Sequence, residues 1–444
     1  MNKFEVWICD CHLRVRSDGA QYRCQAAVWA DGKDRFLATI EAHFEKLGYS
    51  IDWLEEALPI SQYLASPDLQ HRPDPALAEK VDEGHRVEIG PISDSSTGRT
   101  IQVRDAISID VIEKVTPLDS QLGADPKKTV PNTLYKPLFE QTEPTQTEID
   151  QYGSTEHIPP LRTYAILDGA KMPYLLTSLL EESNLRYQSL FQGKALDDLI
   201  EQAPYLVELE EGNNFTRKLF TAEEAQGLWD KDLGVYIRTR ATFEDARRHF
   251  RRFTRIKDEH GKWHFFAFWR TSIYHGIRSE DFLNPIVSEF FRQIIGGSSI
   301  YAVDATNGNV RCLVERGSSF HLLQPQKIPT IYKSILPIFK RSKVHENKRK
   351  ITESLFDVLK KHEKLDREEL SKLVDEVCDN CLRLYGVKGI SHIKKICIWS
   401  HFLGIGFEER PEFSYVKKVL GRPGSEHRRL QNIEIWMRRW ESEN

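Results

Sequence analysis

The residues best suited to chemistry are the arginines between positions 238 and 255. After Thr242, apolar side chains recur at helical spacing and predict a helix with one buried face; they are Phe243, Ala246, Phe250 and Phe253. The arginines of the opposite face are Arg247, Arg248, Arg251, Arg252 and Arg255, and Arg238 and Arg240 precede them on a predicted strand. Guanidinium groups bind carboxylates or phosphates through paired hydrogen bonds, so this stretch predicts an anion-binding surface. The alternative interpretation is a helix face that contacts only water.

The charge of the chain favours an acidic protein partner over nucleic acid. The formal net charge is -4, from 62 Lys+Arg against 66 Asp+Glu. Basic residues exceed acidic ones in residues 333–444, and the reverse holds for the remainder of the chain. An acidic balance repels phosphates, so we expect no binding to nucleic acid.

Two cysteine pairs were considered as metal ligands. Cys378 and Cys381 have the spacing of a zinc half-site, and further candidate ligands follow them, namely His392, Cys397 and His401. This CxxC lies inside a predicted amphipathic helix rather than in a tight turn, which favours packing of the thiols in a core. Cys9 and Cys11 lie on one face of a predicted strand, with no second pair nearby in sequence. We therefore predict no metal site.

The sequence shows no set of residues that would act together in catalysis. His249 has no orienting partner or nucleophile at a recognisable spacing, and Asp168 is a single carboxylate after a predicted strand. A phosphate-binding loop, a Gly-x-Ser-x-Gly motif and a His-Glu-x-x-His motif are all missing from the sequence. We expect a protein without enzymatic activity and without a cofactor.

Cysteine content and hydropathy predict a soluble cytoplasmic protein. The seven cysteines are odd in number and irregularly spaced, which favours reduced thiols over a disulfide scaffold. Glu5 and Asp10 interrupt or adjoin the short apolar stretch at the N-terminus, which argues against a signal peptide. No run of residues approaches the ~20 apolar residues that span a bilayer. We expect no association with a membrane.

Composition and periodicity divide the 444 residues into four segments and predict a multi-domain fold of mixed α+β or α/β class. Residues 1–116 are predicted to be a small accessory α/β domain, and residues 117–160, which are rich in Pro, Thr and Gln, a linker. Residues 161–330 are predicted to be a mixed α/β lobe. Residues 331–444 are predicted to be an all-helical lobe.

Within the first segment the patterns predict two strands followed by helices. Phe4 to Val15 and Tyr22 to Ala30 are β-rich, and an Asp-Gly pair between them predicts a hairpin turn. Lys33 to Leu47 has helical periodicity. Trp53 to Leu64 is predicted to be a second helix.

The third segment resembles the effector chaperone and adaptor proteins of bacterial type VI secretion systems, a family long catalogued as a domain of unknown function. The stretches that carry the resemblance are Tyr164 to Ala170, Ser189 to Gly193, Ala203 to Val207, Gly234 to Phe253 and Gly261 to Trp269. The resemblance marks structural motif residues at Leu167, Asp168, Gly169, Phe243, His249 and Phe250. The helical tail around Ser400 to Phe407 is similar to tails in the same family.

The resemblance implies a function in protein binding without catalysis. Its members bind a cognate toxic effector and help load it onto the spike, the trimeric tip protein of the injection tube. The implied partners are therefore a type VI effector and the spike protein, and the implied location is the cytoplasm. Aromatic anchors and arginines dominate such interfaces, so we predict partner-binding roles for the arginines above and for Trp399, Phe402 and Phe407 of the tail.

Two other functions are compatible with the sequence. An immunity protein, which inhibits a cognate toxin, would share the same partner. A metal-dependent enzyme that uses Asp168 or the Cys/His cluster is less favoured by the sequence.

Overall fold

Two long N-terminal strands form the middle of an antiparallel sheet. The computed structural model describes residues 4–15, 21–46, 49–65, 75–90, 92–95, 100–101, 107–222, 227–315, 330–359 and 366–443. The strands of this first sheet run in the order β3-β1-β2-β5-β6, and β4 also pairs with β2. They are β1 (Glu5–Val15), β2 (Gln21–Ala30), β3 (Tyr49–Pro59), β4 (Val87–Ile89), β5 (Ile92–Asp94) and β6 (Thr100–Ile101). The predicted Asp-Gly turn lies outside the described residues.

A helix covers one face of this sheet. It is α1 (Lys33–Lys46), and its residues Phe36, Ile40 and Phe44 are fully buried against β1 and β2. The periodicity of the sequence predicted this helix. The other helices of this region are α2 (Ile60–Ala65) and α3 (Pro75–Ala78).

The second helix predicted for this region, over Trp53 to Leu64, is wrong over most of its length. Residues up to Pro59 belong to strand β3, which pairs with β1. The pairing shifts register between Ile8 and Asp10 of β1, and again between His12 and Leu13. Such bulges interrupt the strict alternation of a strand and leave apolar residues at spacings that resemble a helix.

A second, seven-stranded antiparallel sheet forms the centre of the molecule. Its order is β7-β15-β14-β11-β8-β10-β9. The strands are β7 (Ile107–Ile112), β8 (Arg162–Asp168), β9 (Tyr187–Ser189), β10 (Pro204–Leu209), β11 (Gly234–Thr239), β14 (Ser299–Asp304) and β15 (Asn309–Glu315). Strand β7 was predicted to be part of the first segment, yet it pairs along its whole length with β15 of this sheet.

Both faces of the central sheet are covered. Side chains of the strands alternate between two cores, so Ile166 and Val235 belong to one core, whereas Leu167 and Tyr236 belong to the other. The helices of the first core are α9 (Phe243–Arg251), α10 (Thr271–His275) and α11 (Pro285–Ile295). Those of the second core are α4 (Asn132–Leu138), α6 (Leu175–Glu181) and α8 (Asn214–Leu219). Two further helices, α5 (Gln146–Tyr152) and α7 (Lys194–Leu199), complete this region.

The segment predicted to be a Pro-rich linker, residues 117–160, packs on the central sheet. Leu134 and Leu138 of α4 are buried in the second core, and Glu148 of α5 is buried beside β11. A few apolar residues are enough to pack this segment on the sheet, because those of α4 occur at helical spacing. Helix α5 is held in addition by the ion pair between Glu148 and Arg240. The division of the chain into four domains remains a prediction.

The C-terminal region is helical, as predicted from the sequence, and the protein has the expected mixed α and β architecture. Its helices are α12 (Leu336–Leu359), α13 (Arg367–Leu384), α14 (Ile390–Leu403), α15 (Ser414–Leu420) and α16 (Glu426–Glu443). Ile338 of α12 is buried in the central core, whereas Leu355 of the same helix is buried in the helical core. Among the described residues, the helices are too short or too polar to cross a bilayer.

A small third sheet lies beside the central core. Strands β12 (Arg255–Asp258) and β13 (Trp263–Phe265) form an antiparallel hairpin, and β16 (Thr330–Ile331) pairs with β12 in parallel. This hairpin directly follows α9 and its arginines.

Candidate partner-binding surface

Helix α9 positions the arginines that the sequence singled out. Its first turn is capped by Thr242, whose hydroxyl oxygen accepts a hydrogen bond from the backbone N–H of Asp245 at 3.2 Å. Phe243 and Phe250 are buried in the central core, as the apolar spacing predicted. The helix ends at Arg251, followed by a 3₁₀ turn, so Arg255 already lies on strand β12.

The arginines of this surface differ in how their charge is compensated. Arg248 forms an exposed ion pair with Asp245 at 3.0 Å. Arg247 is half-buried, and its Nε donates a hydrogen bond to the carbonyl oxygen of Ser189 at 2.8 Å. In the described part of the chain, neither Arg251 nor Arg252 has a carboxylate partner. Burial, followed by repulsion from Arg251, lowers the pKa of Arg247.

Arg238 and Arg240 do not belong to this surface, and here the predicted arginine surface is corrected. Each residue is 4% exposed. Nη1 of Arg238 donates to Oγ1 of Thr163 at 2.8 Å, and Nη2 donates to the carbonyl oxygen of Glu140 at 2.6 Å. Burial lowers the pKa of Arg238 to about 10. The reason for their burial is that β11 lies inside the sheet, with both faces covered.

Arg240 is neutralised inside the protein by Glu148. Its Nε lies 2.5 Å from Oε1 of Glu148, and its Nη1 donates to the carbonyl oxygen of Pro159 at 2.7 Å. Both partners of this arginine come from the segment predicted to be a linker. The two strand arginines thus hold residues 117–160 against the central sheet.

Two aromatic side chains of the hairpin extend the arginine surface. Trp263 is 43% exposed and Phe265 is 59% exposed. The guanidinium carbon of Arg255 lies 5.5 Å from the centroid of the Trp263 ring, and Nζ of Lys257 lies 4.9 Å from it. In the sequence, this strand is marked only by the family resemblance. The alternation of Trp263, His264 and Phe265 was the available signal that both aromatics share one face.

Beside the aromatic pair lies a groove of about 590 Å³ between the hairpin and the start of α12. Its apolar lining consists of Phe265, Phe266, Ile331, Leu336 and Phe339. Leu336 is 42% exposed. We define the arginine–aromatic surface by the following residues: Arg248, Arg251, Arg252, Arg255, Trp263 and Phe265.

The three aromatic residues predicted in the helical tail have different environments. Phe402 is 62% exposed at the end of α14. Trp399 is half-buried against the helical core and lines a pocket of about 170 Å³ with Lys395 and Met437. Phe407 is 1% exposed and packs against Phe413 in the helical core, so the structure does not offer it to a partner. The chain turns inward after Gly404 and Gly406, which explains this correction.

The motif residues of the family resemblance occupy structural positions. Leu167 is buried, and the Oδ1 atom of Asp168 accepts a hydrogen bond from the backbone N–H of Ala170 at 3.1 Å. A Cβ atom on Gly169 would lie 2.6 Å from the carbonyl oxygen of Ala203, so this position requires glycine. His249 is buried, and its Nε2 lies 2.9 Å from the carbonyl oxygen of Ile294.

The Cys/His cluster weighed as a metal site lies in the helical core. Cys378, Cys381 and Cys397 are buried there, and burial raises the pKa of the Cys381 thiol to about 12. His392 lies at its edge, with Nδ1 2.7 Å from Oε1 of Glu426. Cys9 and Cys11 are likewise buried, under α1.

A charged cleft of about 560 Å³ separates the central lobe from α12. At its base, the buried carboxylate of Asp232 lies 2.6 Å from Nζ of Lys171 and 3.2 Å from Nη2 of Arg349. Oγ1 of Thr271 donates to the same carboxylate at 2.5 Å. Acidic and basic groups compensate one another at the base of this cleft, so it attracts a charged partner less than the arginine–aromatic surface does.

Comparison with known proteins identifies the central segment. A family model described as Domain of unknown function (DUF4123) matches residues 163–280, a range that contains α9 and the β12–β13 hairpin. No curated protein and no solved structure matches the chain. The resemblance inferred from the sequence is thereby confirmed for this segment. Residues 163–280 thus match the DUF4123 family, which is known as a domain associated with effector chaperones and adaptors of type VI secretion.

Proposed function

We propose that the protein is a non-catalytic, cytoplasmic adaptor that binds a cognate type VI effector and helps load it onto the spike protein. The DUF4123 match supports a role connected with type VI effectors. One observation carries the proposal further. Arg251 and Arg252 lack carboxylate partners among the described residues and lie within one turn of Arg255, whose guanidinium carbon is 5.5 Å from the centroid of the exposed Trp263 ring.

This combination has the chemistry of a protein-binding hot spot. Tryptophan and arginine are over-represented among interface residues whose truncation costs ~2 kcal/mol or more. Burial, and after it repulsion from Arg251, lowers the pKa of Arg247, and a carboxylate of a partner that approaches the two arginines would offset this repulsion. The expected partner surface is therefore acidic, with apolar groups that cover Trp263 and Phe265.

A double charge reversal tests the proposal. The variant Arg251→Glu with Arg252→Glu should reduce capture of the cognate effector about tenfold or more, because each reversal removes an attraction and adds a repulsion. The matched control is Lys127→Glu with Lys136→Glu, which changes the net charge equally. Both lysines are exposed, and Lys136 lies on α4, which packs on the opposite face of the central sheet. Co-purification measures capture, and Tm should be unchanged in both variants.

Equal capture by the two double variants would reject this surface as the effector site. If the unmutated protein does not capture the effector, the proposed adaptor function itself is rejected. Loading is tested separately, since the unmutated protein should bring the effector and the spike protein into one complex during gel filtration.

The N-terminal sheet is proposed to be an accessory recognition module for the same effector. The predicted segment was residues 1–116, but β7 belongs to the central sheet. A deletion that tests the module should therefore stop at residue 101 and leave β7 in place. Weaker capture with an intact central fold supports the module, whereas full binding and full secretion reject it.

A further inference from the structure

Three side chains from distant parts of the chain meet beneath α12. His275 is the last residue of α10, Asp304 is the last residue of β14, and His345 lies in the first half of α12. One potential ligand atom from each lies within 4.8 Å of the other two. The two imidazole rings stack with their centroids 4.9 Å apart and their planes 17° apart. None of these residues was singled out by the sequence, because they are far apart along the chain.

The polar atoms of this cluster are incompletely satisfied. Nε2 of His275 is buried and has no hydrogen-bond partner among the described residues. Nε2 of His345 lies 3.5 Å from Oδ2 of Asp304, which is longer than an ordinary N–H···O hydrogen bond. The other carboxylate oxygen of Asp304 is already used, since Oδ1 accepts a hydrogen bond from the backbone N–H of Thr306 at 3.0 Å. The cluster thus contains a buried ring nitrogen, Nε2 of His275, that lacks a hydrogen-bond partner among the described residues.

We infer that His275, Asp304 and His345 bind a divalent transition-metal ion of the zinc or cobalt class. Two imidazole nitrogens and one carboxylate oxygen are a ligand set that these ions accept, with a water molecule as the fourth ligand. Ligand atoms around tetrahedral zinc lie ~3.3 Å apart, given bonds of about 2.0–2.1 Å. The pair formed by His345 and Asp304 is already near this spacing, and the ion draws His275 towards them.

The surrounding charges are compatible with a cation. Nη1 of Arg311 is directed to backbone carbonyl oxygens of Tyr274 and Ile277, at 3.3 and 2.5 Å. Arg349 is paired with Asp232 and Glu353.

The bound ion has a structural role, because its ligands come from three different elements. It joins the helix that leads into the C-terminal lobe to a strand and a helix of the central lobe. The inference is independent of effector binding, since none of the three residues belongs to the arginine–aromatic surface.

Metal binding by the full-length protein tests the inference. After treatment with a chelator, the protein is titrated with Co²⁺ and with Zn²⁺, and bound metal is counted by elemental analysis after desalting. We expect one ion per chain and, at a hundredfold excess over Kd, a rise in Tm of about 3 °C or more. The variants His275→Gln and His345→Gln should lose the ion. The matched control His392→Gln, at the edge of the buried cysteines, should retain it.

Binding below a tenth of an ion per chain in the unmutated protein overturns the inference. So does loss of the ion in His392→Gln with retention in His345→Gln, which would assign the ion to the Cys/His cluster. If the histidine variants fail to fold, the absorption spectrum of the unmutated protein with bound Co²⁺ identifies which side chains bind the ion. A thiolate charge-transfer band refutes the site, and visible bands of nitrogen and oxygen coordination without that band support it.

Discussion

Glu148 and Arg240 form an ion pair with two contacts inside the protein. Oε1 of Glu148 lies 2.5 Å from Nε of Arg240, and its Oε2 lies 3.3 Å from Nη2. The two side chains are 1% and 3% exposed. The pair joins α5 to β11, and thereby fixes a segment of linker-like composition to the central sheet.

Removing one member of this pair should destabilise the protein strongly. Arg240→Ala leaves the Glu148 carboxylate buried without its cation, which costs about 3–5 kcal/mol in the free energy of unfolding. Arg248→Ala is the control, because Arg248 and Asp245 form an exposed pair worth at most ~1 kcal/mol. Urea denaturation measures both. Equal effects of the two substitutions would show that Glu148 is solvated in the folded protein.

Truncating Trp263 should weaken effector capture without weakening the fold. The ring is 43% exposed and contacts Arg255 and Lys257, so Trp263→Ala removes a binding anchor but little core packing. We expect about a tenfold or greater loss of affinity by isothermal titration calorimetry. Trp53→Ala, which truncates a ring 51% exposed on the N-terminal sheet, is the comparison. A larger loss for Trp53 than for Trp263 would move the effector site to the N-terminal sheet.

The buried thiol of Cys381 should be unreactive in the folded protein. Burial, followed by repulsion from a Cys378 thiolate, raises its pKa from 9.0 to about 12. The folded state therefore holds the neutral thiol, and its contribution to stability is complete below pH 9 and is lost as the pH rises through 12. Mass spectrometry after iodoacetamide treatment at pH 8 should find Cys381 unlabelled without denaturant and labelled with it. Ser442→Cys, at an exposed position, provides a thiol that must react. Rapid labelling of Cys381 without denaturant would contradict its burial.

Deletion of the gene should distinguish an adaptor from an immunity protein, because the two proteins differ in what the cell loses without them. If the protein is an adaptor, deleting its gene should abolish export of the effector and leave the cell resistant to that toxin. Co-expression with the toxin in a sensitive host should then give no protection, as growth curves would show. Protection from the toxin would instead favour an immunity protein, which inhibits the toxin directly.

The sequence correctly predicted those features of the fold that depend on a local pattern of apolar and polar residues. The helical spacing of Phe243 and Phe250 identified α9 and the exposed side of its arginines, because burial on an amphipathic helix is decided within a few turns. Arg238 and Arg240 were predicted from the sequence to lie on the same anion-binding surface as the arginines of α9. Their burial depends on α5 and on the residues around Glu140, which lie about a hundred positions earlier and cover the sheet only in the folded chain.

Long-range contacts explain the other differences. Strand β3 was predicted to be mostly helix, since the bulges that break its alternation arise from pairing with β1. No spacing in the sequence predicts the cluster of His275, Asp304 and His345, because its residues come from three separate elements that meet only in the folded chain. Phe407 was predicted to bind a partner, yet it lies buried in the helical core after two glycines.

Helix α12 contributes Ile338 to the central core and Leu355 to the helical core. Because one continuous helix supplies residues to both cores, unfolding of either core disturbs the helix on which the other depends, so heating should yield one calorimetric peak rather than two. A continuous rod shared in this way also transmits force. If the C-terminal helices bind the cargo of the proposed adaptor, a load on them reaches the central sheet through this one helix.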